Sequence, residues 1–265
     1  MITSTSGSQV KGVIALRKKA KERNERSLFV VEGPKMLFEA PPERIEKVYA
    51  SESFLKRYGG EPALKALPVE AVSDSVLSVM SDTQTPQGVI CLVKQYRYSA
   101  EELLGSGPRA PLCMILENLQ DPGNLGTIVR TAEGAGVTGI LMSRDCVDIY
   151  NPKVIRSTMG SVYRMPFCYT DDLHGVIRDW KKKGVRVYAA HLKGEVYHTG
   201  IDCCGPSAFL IGNEGNGLRE DTAALSDCLI RIPMEGKVES LNAAVASAVL
   251  MYEALRQRIA RKAGD

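Results

Sequence analysis

The run SAFLIGNEGNGL at 207–218 reads as a buried strand that breaks into a turn carrying three glycines and one carboxylate, Glu214. Glycines at 212, 215 and 217 permit positive φ and let a ligand reach the main chain without a Cβ in the way, so this is a ligand-facing loop. The pattern repeats downstream: a strand over 229–234, a loop over 235–240, then a long apolar helix over 241–260. In an open α/β sheet, ligands bind in loops at the carboxyl ends of strands, and here two strand ends deliver two such loops. Two further polar residues follow an earlier strand, in ENLQDPGNLGTIVRTAEGAGV at 117–137. DPGN makes a tight turn, Asn124 is placed to cap the next helix, and Arg130 projects from its second turn. Each feature alone is ordinary. The order G-x-x-G-x-G matches neither the dinucleotide fingerprint nor a phosphate loop, which argues against a nucleotide-dependent oxidoreductase.

These loops need elements to hold them. Apolar, largely non-alternating strands are expected at 112–117, 139–143, 165–169, 186–191, 208–212 and 229–232, with helices between most of them. That is the pattern of a parallel sheet covered on both faces. Ahead of it, strands at 28–32, 45–50, 68–72 and 88–93 alternate with helices from Pro34, over 53–58, and over 74–81 with Asp74 as N-cap. The stretch QYRYSAEELLGSGPRAP at 95–111 loses apolar periodicity and gains Gly, Ser and Pro. The expected organisation is therefore α/β throughout: a smaller sandwich domain over 1–97, a linker over 98–110 and a parallel-sheet domain over 111–265.

Composition narrows the class. The 265 residues are enough for two domains with real cores. No run of eighteen apolar residues occurs, and the polar opening MITSTSGSQV has no leader core, so a cytoplasmic protein with no membrane partner is expected. Seven scattered cysteines form no C-x-x-C pair and stand at no zinc spacing to histidine, so reduced core thiols and no metal are expected, the adjacent Cys203 and Cys204 included. Net charge is +3, with the basic excess in residues 1–98, which hold 15 Lys/Arg against 11 Asp/Glu. The helical stretch KGVIALRKKAKERNER at 11–26 could be a solvated face or a patch that meets phosphates. Trp180 is expected to pack in the core. His191 falls at a strand end on the ligand edge.

Taken together, N-x5-R after a strand, I-G-N-E-G-x-G-L, and I-P-M-x-G-x-x-x-S-L-N before an alanine-rich helix resemble the three signature motifs of the SpoU/TrmH family of RNA 2′-O-ribose methyltransferases. The first ninety or so residues are similar, on weaker signals, to the family's L30e-like RNA substrate-binding domain: the basic helix, the FVVEGPKM turn at 29–36, and TPQGV at 85–89. The resemblance implies a C-terminal trefoil knot that binds S-adenosyl-L-methionine, and a homodimer formed through the C-terminal domain. It places Gly212, Ile232 and Leu241 at the cofactor, and Asn124, Arg130, Glu214, Ser240 and Asn242 among the catalytic and substrate-positioning residues. It favours ribosomal RNA, that of the large subunit, over transfer RNA. A non-catalytic RNA-binding or ribosome-assembly protein retaining the fold is the alternative.

The residue types suit that chemistry. Methyl transfer from a sulfonium to a ribose hydroxyl needs the partners aligned and one proton removed. A cation beside the developing alkoxide is the obvious device, and Arg130 fits it. Arginine stays protonated in proteins, so gripping phosphate and polarising the hydroxyl suits Arg130 better than acting as a base. Asn124, Ser240 and Asn242 would hold neighbours by neutral hydrogen bonds. Glu214 would orient one of these groups, with general base as its other possible role.

Overall fold

A computed structural model describes residues 1–264; Asp265, the end of the expected second domain, lies outside the described residues. The chain forms two compact units, one of residues 1–96 and 148–163, the other of 97–147 and 164–265. Each unit is thus built from two stretches of chain.

In the first unit β1 (Leu28–Glu32), β2 (Ile45–Ser51), β3 (Val69–Val72) and β4 (Val89–Lys94) form one sheet in the order β1-β4-β2-β3. β4 runs antiparallel to both β1 and β2, and β2 pairs parallel with β3. Helices Ser8–Lys18 and Asp74–Met80 bury Val10, Val13, Leu16, Val76, Leu77 and Met80 against one face of it. The expected basic helix is two helices, because Lys19 is extended (φ −123°) between Ser8–Lys18 and Ala20–Arg26. Ser73, not Asp74, caps the helix at 74: its hydroxyl accepts from Val76 N, and Asp74 occupies the first turn.

The segment 148–163 is fastened to this unit by polar groups. Arg23 is buried, donates to Asp148 Oδ2 at 2.9 Å from Nε and 2.5 Å from Nη2, and gives Nη1 to the carbonyls of Leu16 and Arg17. Tyr163 donates its hydroxyl to Met36 O at 2.9 Å. Asp148→Ala leaves a buried guanidinium without its counter-charge, and is expected to cost about 2–3 kcal/mol, read as a lower chemical-denaturation midpoint.

The second unit is a seven-stranded sheet of β5 (Leu112–Leu116), β6 (Gly139–Ser143), β7 (Phe167–Thr170), β8 (Arg186–Ala190), β9 (Val196–Tyr197), β10 (Ser207–Ile211) and β11 (Cys228–Arg231). The order is β7-β6-β5-β10-β8-β11-β9, and every neighbouring pair is parallel. β5, β6 and β10 are buried along their whole length, as strands covered on both faces must be. Trp180 packs in this core and donates Nε1 to Ala100 O. Helix Pro122–Ala135 follows β5, and the terminal helix Ala243–Gly264 packs against it and against β10. All seven cysteines are free. Burial pushes the Cys203 thiol up to about 12, which leaves it a packing group rather than a nucleophile.

Candidate functional site

The carboxyl ends of β8, β10 and β11 surround one cavity of about 580 Å³. Its walls come from three segments far apart in sequence: 190–193 after β8, 211–218 after β10, and 230–241 after β11.

The loop after β10 closes on itself. Asn213 N donates to Gly217 O at 3.0 Å and Gly217 N returns to Asn213 O at 2.9 Å. The Asn213 side chain accepts from Gly215 N and Asn216 N and donates to Asn118 O. A Cβ on Gly212 would sit 2.2 Å from the carbonyl carbon of Gly217, so glycine there is demanded by the loop's own return. Gly217 has φ +68°, and Gly215 has neither constraint. The expectation of positive φ at all three glycines holds at position 217 alone.

Glu214 reaches from this loop to the turn after β5. Its Oε1 accepts from Asp121 N at 2.8 Å and Asn124 Nδ2 at 3.0 Å, and its Oε2 accepts from Gln120 N at 3.0 Å. Burial alone would raise the Glu214 pKa, but the hydrogen bonds from Asn124, Gln120 and Asp121 outweigh it and hold the carboxyl below the usual carboxylate range. A carboxylate so engaged is a poor proton acceptor and a good clamp.

Asn124 is not the helix cap. Pro122 suits the first helical position, so the cap falls one residue earlier: Asp121 Oδ1 accepts from Asn124 N at 2.7 Å. The Asn124 side chain is thereby freed to link two loops. Its amide nitrogen faces Glu214, and its oxygen accepts from Asn242 Nδ2 at 2.9 Å. Asn242 in turn caps the terminal helix, accepting from Ala244 N and Val245 N. Each amide orientation follows from its neighbour, because a carboxylate can only accept and helix N–H groups can only donate.

Of the eight residues picked from sequence, Gly212, Ile232, Leu241, Glu214 and Ser240 line the cavity, and Asn124 and Asn242 join it through Glu214. Arg130 is not among the lining residues. It lies on the exposed surface of its helix, with no hydrogen bond or ion pair to another described residue. Six residues at about 100° each set it roughly 120° around the helix from Asn124, which is why the two do not converge within one chain. His191 also lines the cavity; its Nδ1 accepts from Lys193 N, and its backbone N–H donates to Ile230 O.

Sequence reasoning passed over Glu117, Asn213 and Gln120. Glu117 is buried at the end of β5, where Oε1 accepts from Arg219 Nε at 2.8 Å and Oε2 from Arg219 N at 2.9 Å, and Thr222 adds its hydroxyl. It ties the far end of the loop after β10 to the sheet. A charged residue at the close of an all-apolar strand was the available signal.

The donors along the cavity suit an adenosine-bearing ligand. Among the described residues the lining backbone N–H groups of Ile232, Met234, Glu235, Glu239, Ser240 and Leu241 make no hydrogen bond, while the side chains of Ile211, Ile230, Ile232 and Leu241 supply apolar wall. Unpaired main-chain donors beside apolar side chains are what the edge and faces of a purine engage.

An all-parallel α/β sheet with a cavity at the carboxyl ends of its strands is the arrangement in which open α/β proteins hold small organic ligands. The chain belongs to the SpoU rRNA Methylase family, whose model matches residues 111–252, and the MRM3-like substrate binding domain matches residues 7–91. It is similar to the 23S rRNA (guanosine(2553)-2′-O)-methyltransferase of Bacillus subtilis, at 29% identity over 95% of this chain and 97% of that protein. A 23S rRNA (guanosine-2′-O-)-methyltransferase of Xanthomonas campestris is 34% identical over 74% of this chain and 80% of its own length. Among solved structures, an AdoMet-bound rRNA methyltransferase from Sinorhizobium meliloti superposes with a TM-score of 0.82 at 32% identity, covering 96% of this chain and 97% of that one.

Proposed function

We propose that this chain methylates the 2′-oxygen of a ribose in RNA, that of the large ribosomal subunit, using S-adenosyl-L-methionine. The observation that carries the reading is the meeting of Gly212, Ile232 and Leu241 around one cavity, braced by the Asn242–Asn124–Glu214 chain. The names of the relatives support ribosomal RNA as substrate. Incubation with labelled cofactor and 23S rRNA, then alkaline hydrolysis, tests it: label retained in an alkali-resistant dinucleotide is expected, and label on a base would overturn the assignment.

When bound, the cofactor supplies a methyl group on a sulfonium, so no further electrophile is needed. Ile232, Met234 and Leu241 would hold it through their free main-chain donors, and the Gly212 turn would close over it. The ribose oxygen forms the new C–O bond as the S–C bond breaks, and its proton leaves to solvent. Arg130 would grip the adjoining phosphate and polarise that hydroxyl. Glu214 positions the turn that carries Asn124. Glu214→Gln puts an amide N–H against N–H donors and is expected to lower kcat/KM about tenfold. The lowered pKa means that the carboxylate's contribution is complete above the usual carboxylate range and is lost only as pH falls through the depressed value. The pH–rate profile should therefore keep its shape between about pH 6 and 9; loss of a limb in the variant would mark Glu214 as the base.

The proposed homodimer through the C-terminal unit has support in the terminal helix. Val245, Tyr252 and Ile259 recur every seventh residue and are 49%, 52% and 59% exposed, an apolar seam left half open among the described residues. Arg130 belongs to the same neighbourhood. It lies one turn before Gly134, where a Cβ would be 3.4 Å from the Tyr252 hydroxyl. A second copy seated on the seam would receive Arg130 beside its own cavity.

A threaded C-terminus has support in the strand order. β9 pairs on the far side of β11 from β8, so the 191–195 connection crosses the carboxyl end of β11. A Cβ on Gly194 would lie 2.6 Å from the carbonyl carbon of Ile230, so the strap is tight. The chain leaving β11 returns past it to a helix packed on β10, as a trefoil knot requires. Among the described residues no helix is long and apolar enough to cross a membrane. The cytoplasm is the compartment this activity calls for.

A further inference from the structure

The first unit carries a second cavity, of about 680 Å³, at the carboxyl ends of β2 and β3. Its floor is apolar and partly aromatic: the half-buried Tyr58 ring lies 4.7 Å from the buried Phe54 ring, and the Arg57 guanidinium stands 5.1 Å over the Tyr58 ring. Beside the hydroxyls of Ser51, Ser53 and Ser78, its lining carries the longer polar side chains of Arg57, Asp74 and Gln87, all exposed and none hydrogen-bonded or ion-paired to another described residue. Gln87 is held over Gly33, where a Cβ would meet its Oε1 at 2.4 Å; Gly33 has φ +93°, and glycine there leaves the amide its place. The fold thus keeps an amide, a carboxylate and a guanidinium stacked on Tyr58, its N–H donors unbonded among the described residues, around an apolar floor.

We infer that this cavity binds an unpaired guanine of the RNA, giving the substrate-binding unit a base-specific subsite of its own. A carboxylate in the rim opposes phosphate and favours a neutral group that offers N–H donors. The exposed part of Tyr58 and the planar Arg57 guanidinium over it give a flat ring a surface to pack on, and stacking on aromatic side chains or guanidinium planes is the general way that unpaired nucleotides are held. Guanine alone among the four bases offers two adjacent donors, N1–H and the N2 amine, for Asp74, and two acceptors, O6 and N7, for Arg57. Gln87 can give to or accept from either edge. Adenine has a single amine donor there and uracil a single N–H.

The inference rests on RNA being the substrate, and its test is independent of turnover. The full chain is titrated, by fluorescence anisotropy, into two labelled single-stranded RNA oligonucleotides that differ only in having guanosine or adenosine at the same positions. The guanosine oligonucleotide should bind about tenfold tighter. Arg57→Ala, Asp74→Ala and Gln87→Ala should each erase most of that ratio while leaving S-adenosyl-L-methionine affinity, which belongs to the other unit, within about twofold. Equal binding of the two oligonucleotides, binding of neither, or an equal loss on both in the variants would overturn the subsite. None of these results touches the methyltransferase assignment, which stands or falls on methylation of RNA by the unaltered chain.

Discussion

Arg130→Ala is expected to slow methyl transfer by about 10²–10³-fold while S-adenosyl-L-methionine still binds within about twofold of its normal affinity. The split follows from where the residue sits. Arg130 is not in the cavity wall and makes no hydrogen bond or ion pair to another described residue, so its removal leaves the strand-end loops and the Asn242–Asn124–Glu214 links intact. On the proposed role, what is lost is a positive charge that would stand beside the ribose oxygen as negative charge develops there. Arg130→Lys keeps the charge but not the planar fork that grips a phosphate at two points, and should recover only part of the rate. Single-turnover transfer from labelled cofactor measures the first quantity and titration calorimetry the second. Loss of cofactor binding in Arg130→Ala would instead make the arginine a structural support of the cavity.

The strands of the second unit were legible because parallel strands buried on both faces are written as unbroken apolar runs. β9 was not: two residues, Val196 and Tyr197, carry no period. The helix at 152–158 could be read from its Asn-Pro start, but its attachment to the first unit depends on Arg23 meeting Asp148 and Tyr163 meeting Met36, pairings between distant positions that leave no local trace. At the site, residue types announced a ligand loop, while the job of each residue depended on neighbours brought in by the fold. Asn124 looked like a cap because caps are the commonest use of an asparagine after a turn. With Asp121 in that role, the Asn124 amide became a bridge between the loops after β5 and β11. Gly212 looked like room for a ligand and proved to be room for Gly217.

Mixing two inactive variants is expected to restore activity. If Arg130 serves the cavity of a second copy, Arg130→Ala retains a sound cavity, and Gly212→Ala, whose new Cβ would collide with Gly217, retains a sound arginine. In a mixed dimer, the intact cavity of the first faces the intact arginine of the second. Random reassortment gives half mixed dimers with one working site of two, so about a quarter of full activity should return. An arginine acting on its own cavity would return none, since every cavity in the mixture would lack one element or the other. The seam on the terminal helix makes a control. Tyr252→Asp places a charge where Val245, Tyr252 and Ile259 would meet their counterparts, and burying it there would cost several kcal/mol. It should yield monomers by light scattering and abolish complementation, while the cavity, formed within one chain, still binds the cofactor. Monomers with full turnover would separate Arg130 from the second copy and return the search for its substrate contact to a single chain.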